Sequence, residues 1–139
     1  MPLFSKKIQL IIADDSPEFL EGLAILVSAS EKYSIFKTYE NGEQLIQSKF
    51  LNQASILLID IEMAGINGFE AAKSICKEYP DLPLIALSMH TENIYLEEII
   101  RAGFKAFIHK PQTSLVLFNI LDKVLENKYA FPINLRRLT

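Results

Sequence analysis

Three nearly unbroken apolar runs constrain this chain more than any other feature: Leu10-Ile11-Ile12-Ala13, Ile56-Leu57-Leu58-Ile59 and Leu84-Ile85-Ala86-Leu87. A strand with one wet face alternates apolar and polar residues. A continuous run implies burial on both faces, the situation of inner strands in a parallel sheet. With two weaker β-rich stretches, strands are predicted at 8–13, 34–39, 55–59, 83–88 and 105–109.

The intervening segments carry helical period. The predicted helices span 16–30, 41–50, 67–79, 91–102 and 113–127. Asp15-Ser16-Pro17 reads as a cap followed by an early proline, and Gly103 as a residue just past a helix end. The order is a strand–helix pair repeated five times. Right-handed crossovers then place helices on both faces of a doubly wound α/β sheet of five parallel strands.

Composition narrows the class. In 139 residues, 50% are hydrophobic, so one core can form unaided. The net charge of −3 and the lack of a basic block argue against direct nucleic-acid binding. The single cysteine, Cys76, excludes an internal disulfide framework and reads as a core thiol. No apolar run approaches the roughly 20 residues of a membrane span, and the first residues, Met1-Pro2-Leu3-Phe4-Ser5-Lys6-Lys7, do not read as a secretory signal. A soluble, cytoplasmic protein is expected.

In such sheets, ligands sit beyond the carboxyl ends of the strands. There the sequence places Asp14-Asp15, Asp60, Ser88 and Lys110-Pro111. Singly, each has an ordinary explanation: Asp15 as a helix cap, Asp14 as a loop residue, Lys110 as a solvated charge. Together they converge at one edge. Clustered carboxylates repel, and a divalent, oxygen-preferring cation relieves the repulsion; Mg²⁺ suits few carboxylates and several waters. An ionised carboxylate beside such a cation can attack phosphorus, with the hydroxyl and ammonium holding the transferred oxygens.

On these residues the chain resembles the response-regulator receiver domains of two-component signalling. The motifs are Ala13-Asp14-Asp15-Ser16; Leu57-Leu58-Ile59-Asp60-Ile61-Glu62-Met63-Ala64-Gly65-Ile66-Asn67-Gly68; Leu87-Ser88-Met89-His90; and Gly103-Phe104-Lys105-Ala106-Phe107-Ile108-His109-Lys110-Pro111. The resemblance implies a flavodoxin-like sheet of strand order 2-1-3-4-5. It implies a receiver domain over 1–127, with 128–139 a tail or the start of a linker. By position, Asp60 would accept a phosphoryl group from a histidine kinase or phosphotransfer protein. Asp15, Asp60 and the Glu62 backbone carbonyl would ligate Mg²⁺, with Asp14 acting through a water. Lys110 would contact one phosphoryl oxygen, and Ser88 would move to bond another. Phe107, at the switch-aromatic position, would turn inward as Ser88 moves, relaying the change to the fourth helix, fifth strand and fifth helix. A cis Lys110–Pro111 bond is also implied. So is a protein that catalyses its own phosphorylation and slow dephosphorylation without being a multiple-turnover enzyme.

Several positions depart from the family pattern. Ala64 stands in place of the usual proline, which should loosen that loop, and Phe107 lacks a tyrosine hydroxyl. Glu62 and His90 flank the expected path of attacking water and are candidates to set the phosphoryl lifetime, or else are solvated loop residues. His109 is assigned no role. Phe69, Phe104 and Phe118 read as core. The apolar excess of the fifth helix suggests exposed Leu117 and Leu125 and a homodimer surface there. The stretch from Tyr129 to Arg137 resembles the linker of regulators with a C-terminal helix-turn-helix, so transcription is the leading output. A stand-alone receiver acting by protein contact is the alternative. Two other readings compete. A phosphatase of the haloacid-dehalogenase kind is disfavoured because its nucleophile follows the first strand, whereas Asp60 follows the third. An unmodified binding module is disfavoured by the intact acidic, hydroxyl and lysine set.

Overall fold

The computed structural model describes residues 6–131. Strands β1 (Ile8–Ala13), β2 (Tyr33–Tyr39), β3 (Ile56–Asp60), β4 (Leu84–Ser88) and β5 (Ala106–His109) alternate with helices α1 (Pro17–Ser28), α2 (Gly42–Ile46), α3 (Gly68–Glu78), α4 (Asn93–Arg101) and α5 (Thr113–Leu125). All pairings are parallel, in the order β2-β1-β3-β4-β5. The expected fold is therefore the observed one.

The continuous apolar runs are explained by which face each residue meets. Ile11, Ala13, Leu57, Ile59, Leu84 and Ala86 enter one buried cluster with residues of α3 and α4. Their neighbours Leu10, Ile12, Ile56, Leu58, Ile85 and Leu87 enter the other, with α1 and α5. Strand side chains alternate between faces, so an inner strand covered on both sides has no position for a polar residue until it ends.

Local chemistry sets the helix boundaries. The side chains of Ser16, Asn41 and Asn67 accept backbone N–H bonds from Phe19, Gln44 and Glu70 at the starts of α1, α2 and α3. At the end of α4, Gly103 adopts φ +101°. Its N–H reaches Ile100 and the N–H of Phe104 reaches Ile99, the paired bonds of a left-handed helix stop.

Two expectations need correction. The helix predicted over 41–50 stops at Ile46, and a separate short turn, Leu51–Gln53, follows. Both pieces present a buried leucine, Leu45 and Leu51, to the same cluster, so the apolar spacing that suggested one helix is met by two short ones. On α5, Leu117 is only 1% exposed and faces the sheet, whereas Leu115 is 81% exposed. The outward apolar residue of α5 is thus Leu115, with Leu125 partly buried. The expected tail at 128–139 is described to residue 131; 132–139 lie outside the described residues.

Candidate functional site

The carboxyl ends of β1, β3 and β4 use one device three times. Asp14 Oδ1 accepts the N–H of Ser16 at 2.8 Å, Asp60 Oδ1 accepts that of Glu62 at 2.9 Å, and Ser88 Oγ accepts that of His90 at 2.9 Å. Each side chain is tied to the backbone two residues on, so each is oriented by the turn that follows its own strand. All three residues are buried, whereas Asp15 is exposed.

Gly68 lets α3 begin directly behind Asp60. A Cβ there would stand 2.5 Å from both the Asp60 carbonyl oxygen and the Ile61 Cα. Only glycine permits that backbone approach without displacing the acidic residue.

Lys110 joins the acidic side chains. Its Nζ lies 2.7 Å from Asp14 Oδ2 and donates to Asp60 Oδ2 at 3.2 Å. Its ammonium also lies 4.8 Å from the centroid of the Phe19 ring on α1. One oxygen each of Asp14, Asp15 and Asp60 falls within 4.8 Å of the others. The buried Asp14 Oδ2 is held by the Lys110 ammonium at 2.7 Å. Three carboxylates converging on one point, with a single ammonium against them, have the donor chemistry of a hard divalent cation.

The electrostatics follow the geometry. Burial pushes the Asp60 carboxyl above its usual range; the Glu62 N–H pulls it down, Asp14 pushes it up, and Lys110 pulls it down. For Lys110, burial alone would depress the ammonium, but the hydrogen bond and charge of Asp14, then Asp60, carry it above its ordinary value. Lys110 is therefore a fixed cation, and Asp60 is a carboxylate held under stress.

Glu62 and His90 do meet. His90 Nε2 lies 2.6 Å from Glu62 Oε2. Glu62 Oε1 accepts weak bonds from Ser88 Oγ at 3.4 Å and Met89 N at 3.3 Å. The His90 ring stacks on Tyr95 and its Nδ1 lies 3.5 Å from Glu92. Nothing in the sequence marks Glu92 or Tyr95 as partners of His90. Their spacing from His90, two and five residues across a helix start, carries no signal of a shared contact. Phe107 is 5% exposed and belongs to the buried cluster with Leu96, Ile99 and Phe104. It is thus inward while Ser88 Oγ is held by Glu62 and the His90 N–H. His109 is partly buried, with Nε2 3.1 Å from the Met89 carbonyl. Cys76 is partly buried, its Sγ 3.7 Å from the Ala102 carbonyl.

The cis Lys110–Pro111 bond is not found: among the described residues every peptide bond is trans. Pro111 instead occupies a single turn, Lys110–Gln112, leading into α5. Thr113 Oγ1 donates to the Lys110 carbonyl at 2.7 Å. That carbonyl is thereby satisfied with the chain running straight on into the helix, where a proline in the first turn loses no bond.

The chain is similar to the transcriptional regulatory protein DegU of Brevibacillus brevis, with 26% identity over 91% of this chain and 54% of that protein. It is 32% identical to YdfI of Bacillus subtilis (strain 168), over 94% of this chain and 61% of that protein. The chain thus spans little more than half the length of these relatives. Its fold matches the isolated REC domain of RcsB from Salmonella enterica serovar Typhimurium, solved with the phosphomimetic BeF3−. There the TM-score is 0.81 at 25% identity, covering 96% of this chain and 99% of that one. Residues 10–122 match the response regulator receiver domain model, and with the acidic pocket at the strand ends this chain belongs to the response regulator receiver domain family.

Proposed function

We propose that this chain is a phosphorylation-activated signalling switch of a two-component system, with Asp60 as the phosphoacceptor. The observation that carries the reading is the buried Asp60 carboxylate bonded to Lys110, with Asp14 and Asp15 alongside. In the reaction, an Asp60 oxygen attacks phosphorus and the P–N bond of a phosphohistidine breaks. The electron pair returns to the imidazole nitrogen of the donor. Lys110 neutralises charge on the transferred oxygens, and Ser88 supplies a hydroxyl to another. The acidic set fits Mg²⁺, with Asp15, Asp60 and the Glu62 backbone carbonyl as ligands and Asp14 acting through a water. The cation would offset charge on the incoming group. Ser88 and Phe107 would relay the change to α4, β5 and α5.

The donor is a sensor histidine kinase or phosphotransfer protein, and the setting is the cytoplasm. Among the described residues no helix is long and apolar enough to cross a membrane. Because the relatives are named transcriptional regulators, the proposed output is transcription, exerted through a C-terminal helix-turn-helix domain, with no direct nucleic-acid contact by this chain. A homodimer through α5 is supported by outward Leu115 and by outward Ile25 on α1.

The chain is a switch rather than a multiple-turnover enzyme. Intact mass after incubation with Mg²⁺ and acetyl phosphate tests this. One added phosphoryl group, absent in Asp60→Asn, is expected. Repeated hydrolysis of an aryl phosphate, or addition that survives Asp60→Asn, would overturn it.

A further inference from the structure

β5 is the last strand of the sheet, and an outer strand exposes unpaired N–H and C=O groups that invite another strand. Here the chain itself supplies one. The Ala130 N–H donates to the Lys105 carbonyl at 3.0 Å, and the Phe107 N–H donates to the Ala130 carbonyl at 3.1 Å. Ala130 thereby pairs in parallel with Ala106.

The approach to this pairing is built into the sequence. Asn127 takes φ +62°, its N–H reaches Val124, and the N–H of Lys128 reaches Lys123. These are the paired bonds that stop a helix and reverse the chain, at a residue type that tolerates the left-handed region. They turn the end of α5 back along β5. Side chains then fasten the segment 129–131. The Lys105 ammonium donates to Tyr129 Oη at 3.2 Å, and the Tyr129 and Phe131 rings stack at 6.1 Å. Phe131 packs against the cluster that holds Phe107.

The residue whose backbone N–H holds this strap is therefore the one at the switch-aromatic position. We propose that the 129–131 strap, bridged to β5 at Ala130, and the inward Phe107 stabilise each other. The edge of β5 then passes the state of Asp60 to whatever sequence follows. Coupling of this kind is reciprocal: whatever phosphorylation does to the strap, the strap does to phosphorylation. The inference rests on Asp60 being the phosphoacceptor.

The test uses the full chain, with Mg²⁺ and beryllofluoride as the probe. Hydrogen exchange at the Phe107 and Ala130 amides is followed together with the apparent beryllofluoride affinity. In the parent, both amides should be protected together and gain protection on beryllofluoride binding. Ala130→Pro removes the donor to Lys105 together with its own amide; it should expose the Phe107 amide and weaken beryllofluoride binding about fivefold or more. Phe131→Ala, which keeps every backbone bond, should move both readouts the same way by less. A Phe107 amide that loses protection in Ala130→Pro while beryllofluoride affinity stays unchanged would make the strap a passive edge cover and overturn the inference. A parent chain that takes up neither beryllofluoride nor a phosphoryl group would instead overturn the phosphoacceptor reading, and the inference with it.

Discussion

The imidazole of His90 meets the carboxylate of Glu62 at 2.6 Å, joining the loop after β3 to the loop after β4 across the mouth of the acidic pocket. The other Glu62 oxygen takes the Ser88 hydroxyl, the group that would have to reach an oxygen on phosphorylated Asp60. A carboxylate here both adds negative charge beside an incoming phosphoryl group and occupies its hydroxyl partner.

Glu62→Ala should therefore accept phosphate from acetyl phosphate faster. It should also hold it longer, because no carboxylate remains to position attacking water. A hydrogen bond to a charged group is worth about 1.5–3 kcal/mol, so a change of about tenfold or more in either rate is the expected scale. Decay of the phosphorylated mass with time measures it; identical half-lives in parent and variant would reduce Glu62 to a loop residue.

Asp60 sets a pH dependence whose sign is fixed by its environment. Burial raises its folded-state pKa above the unfolded value. The stabilising balance is then fully present below the unfolded pKa and is lost as pH rises through the folded one. Asp60→Asn removes the charge that burial opposes. In the absence of divalent cations the variant should melt above the parent at pH 7, and the gap should close in acid. Adding Mg²⁺ should raise the parent and not the variant. Thermal melts at two pH values check this; equal melting temperatures at pH 7 would mean that Lys110 fully offsets the burial of Asp60.

Gly68→Ala places a methyl carbon against backbone on two sides. Neither the Asp60 carbonyl nor the Ile61 Cα can swing away as a flexible side chain could, so α3 or the end of β3 must shift. The expected cost is about 1–3 kcal/mol of stability, seen as a lower denaturation midpoint. Phosphoryl uptake should fall more than at a comparably destabilised core site, such as Ile75→Val. Equal uptake in the two variants would show that the displacement is taken up by the helix alone.

The strands and the acidic site could be read from the sequence because both depend on near neighbours. A run such as Ile56-Leu57-Leu58-Ile59 states its own burial, and the first polar residue after it, Asp60, marks where the sheet edge lies. What the sequence hid depends on partners distant along the chain. Ala130 pairs with β5 for a single bridge, too short to leave a pattern. The sequence places Glu62 and His90 only as two residues beside one path, and carries no sign of their contact or of the stacking on Tyr95. The trans Lys110–Pro111 bond departs from what the resemblance implies.

Self-association offers a separate test. Leu115 on α5 and Ile25 on α1 point outward, and Phe19, Leu26 and Pro111 line a groove near Ile25, between α1 and the start of α5. If copies pair through this face, Leu115→Glu should raise the dimer dissociation constant at least tenfold, because a charge buried against apolar surface costs more than 1.4 kcal/mol. Light scattering across a concentration series, with and without beryllofluoride, reads the result. A parent that stays monomeric at high concentration in both conditions removes the dimer.

Tyr33 fixes β2 to α5. Its buried ring stacks on Phe118, and its hydroxyl donates to Asp122, which Lys32 also holds at 2.9 Å. Burial, then the hydrogen bond and charge of Asp122, drive the phenol pKa well above its ordinary value. A raised folded-state pKa means stability that is complete below the unfolded pKa, near 10, and lost as pH rises past it. Tyr33→Phe keeps the ring and deletes the hydroxyl. At pH 7 it should cost about 1 kcal/mol, the net worth of one such bond, because Asp122 keeps Lys32 and solvent. Between pH 9 and 11 the parent should lose stability more steeply than the variant, so the two denaturation curves converge. Curves that stay parallel through that range would place the alkaline titration elsewhere in the chain.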